Sequence, residues 1–115
     1  MAGIKVRPLI LGMPTRFDAQ KATGLEATIQ FLISGQDSGN FVLHINNGIC
    51  TASEGLEESP TLTLRMSSET YIGMAIGKLK GPQAFFTRKL QFEGETKLLM
   101  KMHSLFPSLH ETDLA

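Results

Sequence analysis

The chain has 115 residues, of which 42% are hydrophobic and 19% charged. Such a chain is long enough for one core and apolar enough to fold, which sets aside both a two-domain protein and a disordered one. Lys and Arg number 11, as do Asp and Glu, so the cationic surplus that a dedicated nucleic-acid binder needs is missing.

Val6 to Met13 is apolar and predicts one or two helical turns before Pro14. Asp18 is placed to cap a short turn that stops at Gly24. The period then changes to two. Leu25, Ala27, Ile29, Phe31 and Ile33 alternate with Glu26, Thr28, Gln30 and Leu32, which predicts a strand with one buried face. A polar loop bounded by Gly35 and Gly39 follows, then a second alternating strand through Phe41, Leu43 and Ile45. Asn47-Gly48 is the hairpin signal, because both turn residues tolerate positive φ, and Ile49 to Glu54 is the return strand.

Gly55 to Pro60 is an acidic loop. Thr61 to Met66 alternates again, with Leu62, Leu64 and Met66 inward. Ser67 or Ser68 caps a helix carrying Tyr71, Ile72, Ala75 and Ile76, with Gly77 to end it. Pro82 starts a second short helix with Phe85 and Phe86. Leu90 to Glu93 is a last strand. Beyond Gly94 a helix over 95–106 presents Leu98, Leu99, Met102, Leu105 and Phe106 as one stripe before Pro107 stops it. The sum is an α+β domain: a five-stranded, mainly antiparallel sheet with helices covering one face. The core is expected over about residues 13–106 of a single domain spanning 1–115, with 107–115 a frayed tail.

Chemistry is sparse. His44, His103 and His110 have no metal-ligand spacing to one another or to Cys50. His103 and Ser104 are neighbours on a helix and do not face each other. Cys50, the lone cysteine, excludes a disulfide framework, fits a reducing compartment and reads as an inert strand thiol. The loop between Gly35 and Gly39 opens no helix and so makes no phosphate cradle. No enzyme, cofactor or metal is expected. The apolar run at Pro8–Met13 is too short for a signal-peptide core or a membrane span, and the chain ends without a peroxisomal tripeptide, so the expected location is cytoplasmic.

The distinctive segment is Thr61 to Phe106. Met66, Met74, Met100 and Met102 lie there beside Phe85, Phe86, Phe92 and Phe106. Such a stripe is more often plain core than a site. Short helices over a curved sheet nevertheless leave space, and flexible methionines suit variable apolar ligands. Lys78, Lys80, Arg88 and Lys89 fall in the same region, with no acidic residue from Thr70 to Phe92. They form an expected cationic rim for an anionic head, and would equally suit transient docking on an anionic membrane.

These motifs resemble the sterol carrier protein-2 domain. The resemblance rests on Met13-Pro14 with Phe17, Lys21 to Leu25, Ile29-Gln30-Phe31 and Asn46-Asn47-Gly48. It continues through Pro60 to Leu64, Ser67 to Ile72, Gly77-Lys78-Leu79, Ala84-Phe85-Phe86, Lys89 to Gly94 and Met100 to Leu105. It implies a hydrophobic tunnel that binds fatty acids, fatty acyl-CoA or sterol-like lipids without catalysis. On that reading the lining is Ile29, Phe31, Leu64, Met66, Ile72, Ile76, Phe85, Phe86, Leu90, Leu98, Met102 and Phe106, with Lys78, Lys80, Arg88 and Lys89 near the head. The chain departs from the family pattern in a short N-terminal helical region, in Arg88 where glycine is frequent, and at Glu95 to Leu99, where Leu98 and Leu99 would narrow the tunnel. The short N-terminus leaves room for a partner chain, so a homodimer stands among the expected states. The competing reading is a ligand-free interaction or dimerisation module that serves a partner enzyme.

Overall fold

The computed structural model describes residues 5–106, apart from the side chain of His103. The expected Pro107 stop, the frayed tail, His110 and the His103 ring therefore lie outside the described residues. The first alternating stretch becomes β1 (Glu26–Ser34), followed by β2 (Gly39–Asn46) and β3 (Ile49–Glu54). Asn47 and Gly48 hold φ of 54° and 74°, the left-handed pair that a tight hairpin requires. β4 (Leu62–Ser67) and β5 (Leu90–Gly94) complete a sheet of order β3-β2-β1-β4-β5. The β1–β4 pair is parallel and the other three are antiparallel.

The parallel pair follows from one crossing. After β3 the chain passes behind β2 and β1 and re-enters the sheet on the far side of β1. That loop covers part of the outer face, which corrects the outward assignment of Gln30. Its side chain is 3% exposed. Its Nε2 donates to the carbonyls of Phe41 and Gly55, both at 3.0 Å, and its Oε1 accepts from Glu57 N–H at 2.6 Å. The loop's far end is tied by Thr61 N–H to the Thr28 carbonyl at 2.8 Å. Gly94 closes β5 at φ 119°, where a Cβ would stand 2.3 Å from the Thr61 carbonyl oxygen, so no larger residue fits.

Helices cover the inner face. α1 (Val6–Leu11) buries Val6, Leu9 and Ile10 and, with the 3-10 turn Met13–Arg16, packs towards β3. Asp18 caps a second 3-10 turn, Ala19–Ala22, accepting from Gln20 and Lys21. α2 (Ser68–Ala75) is capped by Ser67, whose hydroxyl accepts from Thr70 N–H at 3.1 Å, and lies over β1 and β4. α3 (Gly81–Phe86) packs against β5. α4 (Thr96–Leu105) packs on the Ala19–Ala22 turn. Its anchors are Leu105, fully buried, and Phe106, whose ring lies 5.5 Å from Phe17. Its other end is held by Leu98, also buried, and by the Glu95 N–H, which donates to the Thr61 carbonyl at 3.1 Å.

Candidate functional site

The space left under α4 is a cavity of about 720 Å³, inside the roughly 300–1,000 Å³ range of small-molecule sites. Its floor is the inner face of three neighbouring strands. Phe31 of β1 pairs with Leu64 of β4, Leu64 with Phe92 of β5, and Met66 with Leu90. All five side chains line the cavity. The alternation that buries one face of each strand therefore produces a continuous apolar floor.

The walls come from the helices. α2 contributes Tyr71, Met74 and Ala75, and α3 contributes Pro82 and Phe85. α4 contributes Thr96, Leu99, Met100 and Met102, with Phe106 just beyond it. Leu79 and Lys80 line the α2–α3 connector, and Met13 and Arg16 reach in from the first 3-10 turn. Five of the six methionines of the chain, all but Met1, are on this wall. Unbranched thioether side chains can adjust to ligands of different shape.

Of the side chains expected as lining, Phe31, Leu64, Met66, Phe85, Leu90, Met102 and Phe106 stand on the wall. Ile29 does not, being fully buried in the core. Leu98 is also a core residue, pointing away from the cavity wall that Leu99 joins. Ile72 packs against the core and Ile76 is half-buried at the end of α2. Phe86 is 82% exposed, outside the lining but 6.0 Å from the Phe85 ring. The four cations do not form one rim. Lys80 lines the cavity and Lys78 lies outside it, exposed. Arg88 and Lys89 line a separate polar crevice of about 340 Å³ with Arg65, Ser67 and Thr70, on the other side of Met66. The turn from α3 to β5 sends them there. It is closed by Lys89 N–H to the Ala84 carbonyl at 2.8 Å, with Arg88 in left-handed backbone at φ 63°.

Sequence reasoning missed Met13, Arg16 and Tyr71 as wall residues, while Met74, in the methionine-rich stretch, and Leu99, expected to narrow the tunnel, stand on the wall. Tyr71, Met74 and Ala75 follow the i, i+3, i+4 spacing, so the helix face was readable but assigned one residue too far round. Met13 and Arg16 had no local signal, since they come from a segment far away in the chain.

Tyr71 is the buried polar group of the wall. Its ring stands edge-on to Phe31 at 5.9 Å, and its hydroxyl has no hydrogen-bond partner. Burial pushes its phenol up to about 12, against the pull of the Arg16 guanidinium nearby. Arg16 favours the ionised form both by its charge and as a nearby hydrogen-bond donor, although no donor reaches the hydroxyl within ordinary hydrogen-bond geometry. Arg16 itself donates to the Leu9 carbonyl at 3.3 Å, at the end of α1.

The remaining chemical candidates lie away from the cavity. Cys50 is half-buried on β3, and burial pushes its thiol up to about 11, which disfavours the thiolate. His44 is exposed on β2 with Nε2 3.6 Å from Glu57 Oε2. Among the described residues no group of three or more His, Cys, Asp and Glu side chains could hold a metal ion. Among the described residues, too, no helix is long and apolar enough to cross a membrane.

Known proteins share this arrangement. The chain is 30% identical over 94 residues to hydroxysteroid dehydrogenase-like protein 2 of Xenopus tropicalis, a match covering 81% of this chain and 22% of that protein. The chain thus spans about a fifth of the length of the curated relatives it matches. Among solved structures, the palmitated SCP2L2 of Aedes aegypti superposes with a TM-score of 0.73 at 17% identity, over 94% of this chain and 99% of that one. The sec-alkylsulfatase Pisa1 of Pseudomonas superposes with a TM-score of 0.74 at 23% identity, over 84% of this chain and 15% of the sulfatase. At these identities the likeness is one of fold. A family model matches residues 14–107, from the 3-10 turn beside the cavity through the last helix. The chain therefore belongs to the SCP-2 sterol transfer family.

Proposed function

We propose that this chain binds a long-chain lipid non-covalently in the cavity under α4 and carries it, without a catalytic step of its own. The observation that carries this reading is the cavity itself, about 720 Å³ and walled largely by apolar side chains. An open space of that size supports a carrier over a ligand-free interaction module, whose methionines and phenylalanines would fill it. The palmitated mosquito relative supports a single acyl chain as ligand. A chain of about sixteen carbons gains roughly 12 kcal/mol by leaving water, against an association cost on the order of 4–15 kcal/mol. Affinity near micromolar follows, which suits a protein that must also release its cargo.

Release at an anionic membrane fits the charge distribution. Between residues 78 and 101 there are six cations and two carboxylates, leaving five of the 11 cations and nine of the 11 carboxylates elsewhere. The same region exposes Phe86 and Met100, at 82% and 77%. Lys97, Met100 and Lys101 share one face of α4 by their spacing. Exposed apolar residues among lysines at a cavity edge suit an anionic lipid surface.

The test is direct. Delipidated protein is titrated with a fluorescent fatty acid, and protein purified from cells is sprayed under native conditions to weigh any bound lipid. Saturable one-to-one binding near micromolar is expected. No binding at millimolar ligand, with the protein folded, would sink the carrier reading.

A further inference from the structure

The cavity wall is not uniformly apolar. Arg16, Tyr71, Lys80 and Thr96 are its polar side chains, and they divide into two places. Lys80 and Thr96 are exposed, on the solvent side with Phe85 and Met100. Tyr71 is buried and Arg16 half-buried, next to Met13 and Phe31 on the interior side. A buried hydroxyl without a partner is rare in a folded protein and calls for a specific cause. A guanidinium beside it sharpens the question. Arg16 spends one N–H on the Leu9 carbonyl, and among the described residues no carboxylate pairs with it. Capping α1 explains one of its five donors and leaves the others beside an apolar cavity.

We propose that Arg16 and Tyr71 together form the binding site for the carboxylate of a free long-chain acid, head inward. This rests on the carrier reading and narrows it to a ligand class. A carboxylate has two oxygens with lone pairs to spare. It can accept from the guanidinium fork and from the phenol at once, satisfying both groups. The phenol keeps its proton at neutral pH, since burial holds its pKa at about 12, and so it donates. The tail then runs past Phe92 and Leu99 towards Phe85 and Met100. A coenzyme A thioester offers no charged oxygen at that position, and its head is too large for the interior side. A sterol hydroxyl would satisfy Tyr71 but leave the Arg16 charge unpaired. Lys80 and the other cations of that region are left to long-range attraction and not to head recognition.

The probes are hexadecanoic acid and hexadecanol, which share a chain and differ in the head. Each is titrated calorimetrically into delipidated protein at a pH where the acid is ionised. Wild-type protein should bind the acid about tenfold more tightly, the worth of a charged hydrogen-bond pair. Arg16→Gln should remove that preference, costing the acid about tenfold and hexadecanol less than about threefold. Tyr71→Phe should reduce it by roughly threefold, as expected for one neutral donor. Arg16→Lys should restore part of it. Hexadecanol affinity is the control for folding, because a merely structural Arg16 would weaken both probes together. Equal loss for acid and alcohol in Arg16→Gln, or an unchanged preference, would overturn the assignment. Equal binding of both probes to wild-type protein would overturn it too, while leaving the carrier reading intact. If neither probe binds, both fall.

Discussion

Gln30 holds three segments together with one side chain: the β2 carbonyl of Phe41, the Gly55 carbonyl and the Glu57 N–H of the crossing loop. Gly55 and Glu57 belong to the crossing loop, and Phe41 to β2 beneath it. Replacing a buried hydrogen-bonded carboxamide leaves partners without water or protein, at about 1–3 kcal/mol. Gln30→Ala is therefore expected to lower stability by about that much or more, measured by urea denaturation. The Glu57 and Gly55 amides, bonded to Gln30 Oε1 and to the Asn40 carbonyl, should lose protection from hydrogen exchange first. A change under 0.5 kcal/mol would mean that the loop is held by other contacts. Arg88 has the opposite expectation. It occupies left-handed backbone, φ 63°, which costs a residue with a Cβ about 1 kcal/mol relative to glycine. Arg88→Gly should leave stability unchanged or raise it by up to about 1 kcal/mol, despite the greater chain entropy of glycine. A drop beyond 1 kcal/mol would show that the Arg88 side chain itself supports the crevice.

α4 separates two duties along ten residues. Leu98 and Leu105 are buried anchors, while Leu99, Met100 and Met102 face the cavity. The division predicts different consequences for neighbouring substitutions. Leu105→Ala should cost about 2–5 kcal/mol, as large-to-small changes in a full core do, with lipid affinity changed little at a temperature where the protein stays folded. Met102→Asp places a carboxylate in the apolar wall and should abolish fatty-acid binding, with some loss of stability. Thermal melts and fluorescent-ligand titrations on the two variants give a crossed pattern if the division is right. Parallel losses in both would show that α4 acts as one unit. The same logic explains the cavity. The element is held where Leu105 and Phe106 meet the Ala19–Ala22 turn and Phe17, and Leu99, Met100 and Met102 share the cavity with the strand side chains.

Across the whole molecule, zero net charge hides a polarised surface. Glu57 and Glu58 lie in the loop that Gln30 ties to the outer face, while Glu54, at the end of β3, pairs with Arg7 of α1. Lys80 lines the cavity and Lys97 and Lys101 lie on α4 beside it, while Arg88 and Lys89 line the separate crevice. Such a molecule should orient on an anionic bilayer with its cavity edge down and its acidic loop away. Co-sedimentation with vesicles containing anionic lipid should exceed that with neutral vesicles, and salt should weaken it. Lys97→Glu with Lys101→Glu should reduce the binding while fatty-acid affinity changes less than threefold, and Phe86→Ser with Met100→Ser should reduce it too, with some loss of fatty-acid affinity because Met100 lines the cavity. Binding that ignores these four positions would place the contact elsewhere.

What the sequence determined was local and one-sided. Period-two runs marked the strands and their inner faces, Asn47-Gly48 marked the hairpin, and Asp18 and Ser67 marked their caps. Each depends on residues a few positions apart, whose geometry the chain itself dictates. The order of motifs was enough to indicate the family. Tertiary structure decided what stands opposite each face. It placed Met13 and Arg16 against Tyr71, which lies over 50 positions later in the chain. It turned Gln30 inward by laying a loop over it, sent Arg88 and Lys89 into a different crevice from Lys80, and left Phe86 in solvent. Periodicity tells which side chains leave water. Whether they meet another element or a hollow depends on where helices such as α4 are anchored, and that is a property of contacts distant in the chain.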